Sequence, residues 1–216
     1  MLEEAVLLVL GPVAVLVVFA LLLAQLHERR VKKLREAADE MGFSFQVHDA
    51  VLTGDLFGQD GSIRLENVLR GQAQGLEVAL FDCLRTVRVG QYLRHSRVSL
   101  MMFRDREANW PLFSLRPRQS LDYFSGLFRR GKMLFPSDIA FSRPNVLEAE
   151  DEEAVTEMFT EEVRSYFAKH PGWYLQAKKE TLLFTRGKLL AAGQLRAYLE
   201  SGFEVLNLLQ TGNPQG

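Results

Sequence analysis

The sequence predicts an α+β chain, with an N-terminal transmembrane helix followed by an antiparallel sheet packed with three or so helices. Three observations carry this. An unbroken apolar run opens the chain, from Ala5 to Ala24. Apolar and polar residues then alternate in short segments at hairpin intervals. Stripes of helical period interrupt and follow those segments without regular βαβ alternation, which is the α+β pattern.

The opening run holds twenty residues without a charge. At 1.5 Å rise per residue such a helix spans about 30 Å, the thickness of a bilayer's hydrocarbon core. It has no polar stripe of the kind a core helix shows. Residues 5–26 are therefore expected to cross a membrane, with any kink at Pro12 left open. The flank is Glu3 and Glu4, not the basic start of a secretory signal. Arg29, Arg30, Lys32, Lys33 and Arg35 follow the run. The positive-inside rule then puts the N-terminus outside an inner membrane and the C-terminal part in the cytoplasm. Val31, Leu34 and Ala38 fall at helical spacing, so 27–42 reads as a basic helical stalk that stops at Gly42.

Residues 43–210 are expected to form the α+β domain, with a subdivision near 136 left open, and 211–216 a disordered tail. Phe43 and Phe45 alternate with Ser44 and Gln46 in a short strand, and the Asp/Gly content of 54–61 reads as loop. In "SIRLENVLRG", Ile63, Leu65 and Leu69 share one strand face, and Gly71 and Gly75 mark a turn. "LEVALFDC" alternates about Leu76, Val78 and Leu80, and "RVSLMMF" about Val98, Leu100 and Met102. These three segments predict an antiparallel meander, and "PLFSLRP" adds a strand between Pro111 and Pro117. Over 119–130 the period becomes helical, through Leu121, Phe124, Leu127 and Phe128. "SDIAFSRPNVL" reads as extended. A helix with an acidic first turn follows, its stripe running through Val155, Met158, Phe159, Val163, Tyr166 and Phe167. Thr160 divides it, and His170-Pro171-Gly172 ends it. "GWYLQA" and "TLLFTR" form a hairpin, and a last helix spans about 191–209 with Leu195, Leu199, Phe203 and Leu206 inward.

Composition narrows the function classes. Net charge is −1, but residues 27–136 carry 18 basic and 13 acidic groups, a net of +5, against 8 and 12, a net of −4, over 137–216. That balance has no dense basic patch with exposed aromatics, so nucleic acid is excluded as a partner. Cys83 is the single cysteine, which rules out an intrachain disulfide.

"NVLRGQAQGLEVALFD" (67–82) and "FSRPNVLEAEDEEAVTEMF" (141–159) resemble segments of a bacterial family of uncharacterised single-pass membrane proteins. The shared features are Asn67, Gly71, Gly75, Phe81-Asp82 and Phe141-Ser142-Arg143, covering about a quarter of the chain. The resemblance implies an N-terminal helix joined to a domain of unknown function, and no activity or catalytic residue. Asp82, at a strand end, has the residue type to cap a neighbouring loop.

Catalytic and metal chemistry find no pattern. His27, His48, His95 and His170 are not spaced as ligands, and no Cys pair exists. There is no nucleophile elbow and no phosphate loop. Cys83 in an apolar strand reads as a small buried hydrophobe. The expected sites are therefore catalytic none, cofactor none and metal none. Arg29, Arg30, Lys32, Lys33 and Arg35, with Arg129, Arg130 and Lys132 after the 119–130 helix, form candidate contacts for anionic lipid headgroups. The expectation is a membrane-tethered cytoplasmic binding or scaffolding domain without catalysis. Its partners are the lipid bilayer and an unidentified membrane or cytoplasmic protein. The alternatives are a peripheral anionic-lipid-binding module and a membrane-bound enzyme.

Overall fold

Period-two alternation gives most strands of this chain two apolar faces, and that demands cover on both sides of one sheet. The computed structural model shows such a sheet. It describes residues 2–58, 61–89, 91–119 and 132–212, the side chains of 2–14, 87–89 and 132–133 excepted.

In chain order the elements are α1 (Leu2–Met41), β1 (Ser44–His48), α2 (Ala50–Phe57), β2 (Ile63–Ala73), β3 (Leu76–Val89), β4 (Tyr92–Arg104) and β5 (Trp110–Pro117). There follow β6 (Lys132–Met133), α3 (Ile139–Ser142), β7 (Asn145–Ala149), α4 (Glu152–Met158), α5 (Glu161–Lys169), β8 (Tyr174–Lys179), β9 (Thr181–Thr185) and α6 (Leu195–Thr211). The nine strands form one sheet in the order β1-β2-β3-β4-β9-β8-β5-β7-β6. Every neighbouring pair is antiparallel. The α+β class and the antiparallel sheet thus stand.

The first face of the sheet carries Leu69, Val78, Leu80, Met101, Phe103, Phe113, Leu115, Leu175 and Phe184. Leu34 and Ala38 of α1 cover it, with Val155 and Met158 of α4, Val163 and Phe167 of α5, and the inner stripe of α6. The second face carries Leu65, Val68, Ala79, Phe81, Cys83, Leu100, Met102, Tyr174 and Leu183, and α2 covers part of it with Leu52 and Phe57.

Several expectations need correction. Among the described residues no helix is long and apolar enough to cross a membrane. Described side chains begin at Val15, so 5–14 of the run read as transmembrane lie outside them. The described side chains of the run are those from Val15 to Leu26. They are exposed, Val15 and Leu16 by about two thirds. The 119–130 helix lies, but for residue 119, outside the described residues. Residues 50–57, the second half of which is expected as loop, form α2, because Asp49 accepts a hydrogen bond from the Leu52 backbone at 2.8 Å and caps it. Part of "SDIAFSRPNVL" likewise folds as α3, capped by Asp138 on Phe141. The division at Thr160 is present, with its hydroxyl capping α5.

Strand β2 departs from its expected register. Asn67 has φ 52° and sits in a bulge opposite β3. The bulge resets the alternation, so Ile63, Leu65 and Val68 face α2 while Leu69 turns to the first face. Gly71 lies inside β2, not in a turn, and the turn is made by Gln74 and Gly75, both at positive φ. Gly71 is required for another reason: a Cβ there would overlap the Phe43 ring.

Candidate functional site

Two polar groupings interrupt the apolar faces, and each leaves buried atoms without a hydrogen bond: Asn67 Oδ1 and Arg97 Nε in the first, Gln176 Oε1 and Arg116 Nε in the second. The first lies under α1. Asp82 of β3 is 3 % exposed and faces the same side as Leu80. Its carboxylate accepts from Arg30 Nη2 at 3.0 and 2.9 Å, from Asn67 Nδ2 at 3.0 Å and from Ser99 Oγ at 2.9 Å. Arg30 also donates to the Leu190 carbonyl at 2.8 Å, and Ser99 Oγ accepts from the Leu190 amide. Arg97 lies beside them and pairs with Glu66 at 2.6 Å. This grouping ties α1, β2, β3, β4 and the segment before α6 together. Asp82 caps no loop; it is the buried acceptor where those elements meet.

That geometry settles Arg30. Its guanidinium is committed to Asp82 and Leu190, so it is withdrawn from the headgroup set. Arg29, Lys32, Lys33 and Arg35 are exposed along α1. Lys32 sits 3.9 Å from Glu36 one turn on, and Arg35 lies 5.4 Å over the Phe45 ring. Arg129 and Arg130 lie outside the described residues, as does the side chain of Lys132.

The second grouping lies on the face that α2 covers in part. Strands β9, β8, β5 and β7 continue this face beyond α2. Leu175, Ala177, Phe113, Leu115, Leu147 and Ala149 point to the first face, so alternation turns Gln176, Lys178, Ser114, Arg116 and Glu148 to the second. Register aligns them: Leu183, Gln176, Ser114 and Glu148 are successive cross-strand neighbours. The next row aligns Arg104, Thr181 and Lys178.

This floor is buried but short of partners. Gln176 is 5 % exposed, and its Oε1 accepts no hydrogen bond. The buried Nε of Arg116 donates none, and its Nη2 is 3.9 Å from Glu148, too far for a hydrogen bond. Arg104 stands 3.8 Å from Asp55 of α2 and 3.7 Å from Glu77, distances of ion pairing without a hydrogen bond. Beyond Gln176 opens a cavity of about 470 Å³, lined by Asp55, Leu56, Arg104, Gln176, Lys178, Lys179, Glu180, Thr181 and Leu183. Buried polar groups normally find partners, since an unmade bond costs about 1–3 kcal/mol.

Among the described residues no three His, Cys, Asp or Glu side chains converge as metal ligands. Burial pushes the Cys83 thiol up to about 12, outweighing the nearby Arg85, so it holds its proton at neutral pH. Sequence reasoning missed Arg104, Arg116, Glu148, Gln176 and Lys178. Their one signal was a polar position in each alternating strand, which reads equally as a solvent face.

No family model matches the chain, and no curated protein matches it. Among solved structures it is similar to the mycobacterial trehalose monomycolate transport factor A, TtfA. The TM-score is 0.58 at 12 % identity, covering 86 % of this chain and 96 % of that one. At that identity the likeness is one of fold.

Proposed function

We propose that this chain is a non-catalytic binding domain whose ligand sits on the second face of the sheet, in the cavity beside α2. The observation that carries this reading is Gln176: buried, lining a cavity, and without a donor for its Oε1. In a protein that only needed to fold, an apolar residue would serve better there. Ser114 and Glu148 in its row, and Arg116 in the next, extend the same surface across the sheet. The shared fold is that of a protein described as a transport factor, which fits a domain that holds its ligand and does not convert it.

Gln176→Met tests the reading. Removing a buried unmet acceptor is expected to raise stability by about 1 kcal/mol, seen as a thermal midpoint higher by roughly 2–4 °C. The purified full chain, incubated with a small-molecule extract of its own cells and then dialysed and denatured, is expected to release a compound. That compound should leave unaltered in mass, and the Gln176→Met variant should not retain it. A destabilised variant that retains the same compound would make Gln176 a structural residue. A chemically altered compound would make the chain an enzyme.

A further inference from the structure

The cavity beside α2 has a charge pattern that specifies more than binding. Its lining holds three cations, Arg104, Lys178 and Lys179, against two carboxylates, Asp55 and Glu180. One positive charge is left over. Glu77, just outside, is already held by Arg70 Nη2 at 2.6 Å, so it only partly offsets Arg104.

The cations are also placed to act together. Arg104 and Lys178 flank Thr181 in one cross-strand row, all on the second face. With strands about 4.8 Å apart, their Cα atoms stand about 10 Å from one another, a span that their long side chains close over a small group. Arg104 keeps donors free because its two carboxylates stay beyond hydrogen-bond range, and a guanidinium pairs best with a planar or tetrahedral oxyanion. In the neighbouring row Leu183, with Leu56 of α2, supplies an apolar wall.

We propose that this cavity takes a ligand with a single negative charge on an oxyanion, a carboxylate or a phosphodiester, joined to a carbon skeleton. Arg104 and Lys178 hold the oxyanion, and Leu56 and Leu183 contact the carbon skeleton. This rests on the binding reading above and adds the charge and class of the ligand.

Titration of the full chain by calorimetry separates the possibilities. The probes are glucuronate, a carboxylate with hydroxyls; glycerophosphoglycerol, a phosphodiester with hydroxyls; and glucose, a neutral polyol. At least one anion is expected to bind tenfold or more tighter than glucose, and which one identifies the oxyanion. Arg104→Gln is expected to weaken that anion about tenfold, the loss of one charge-assisted contact. Lys178→Gln, at an exposed position, is expected to weaken it several-fold and keeps the test readable if Arg104→Gln does not fold. Absence of binding by both anions, glucose binding as tightly, or unchanged affinity in both variants would overturn the proposal. A neutral compound recovered from wild type and lost by Gln176→Met would uphold the binding reading and end this one.

Discussion

Asp82 gathers donors from α1, β2 and β4 into one buried carboxylate, and its value can be measured directly. Removing one partner of a buried charge pair leaves the other uncompensated, at about 3–5 kcal/mol. Asp82→Ala is therefore expected to lower the thermal midpoint by roughly 6–20 °C; a shift under about 2 °C would show the cluster to be idle. Cys83 gives a second expectation. Its thiol is raised to about 12 against roughly 8.5 in an unfolded chain. A raised pKa means that the stability from keeping the proton is complete below pH 8.5 and falls as pH rises toward 12. Denaturation curves at pH 8 and 10.5 should show wild type losing more stability than Cys83→Ala, and native Cys83 should stay unreactive to a thiol reagent at pH 8. The buried character of Cys83 was readable from its apolar strand. The role of Asp82 was not, because its partners lie 15, 17 and 52 residues away.

Among the elements, β1 and β2 show how a single position sets a register. Phe43 lies over Gly71, and the bulge at Asn67 turns Leu69 toward Phe43 in the same cluster. Gly71→Ala forces the Phe43 ring to move and is expected to cost about 1–3 kcal/mol. In a double-mutant cycle with Phe43→Leu, a coupling above about 0.5 kcal/mol is expected, and strict additivity would place the strain elsewhere. The strands β3 and β4 were legible throughout, because a clean period of two survives along both. The bulge was not, since Ile63, Leu65 and Leu69 keep the right spacing on paper and only the positive φ of Asn67 breaks it. Helix α2 was hidden by Gly54 and Asp55, poor helix formers that are held in place by the Asp49 cap and the burial of Leu52 and Phe57.

At the scale of the whole molecule, described contacts to the sheet begin late in α1. Leu34 is the first buried residue and Arg30 the first polar link. A chain starting at residue 27 is expected to keep its thermal midpoint within about 2 °C. One starting at 37 gives up both links and should lose more than about 3 kcal/mol; equal stability of the two would contradict the role given to α1. The class of fold was written locally, in the alternation of the strands and in the stripes of α4, α5 and α6, because each needs only its own neighbours to bury a face. The order of the strands was not. Pairing β4 with β9 and setting β5 between β8 and β7 depends on which faces fit once every apolar stripe seeks cover. The candidate site belongs to that second kind. Arg104 and Arg116 come from consecutive strands and Gln176 from one much later in the chain, and each alone is an ordinary polar position. Only the sheet, by aligning them in register and burying them short of partners, turns them into one surface.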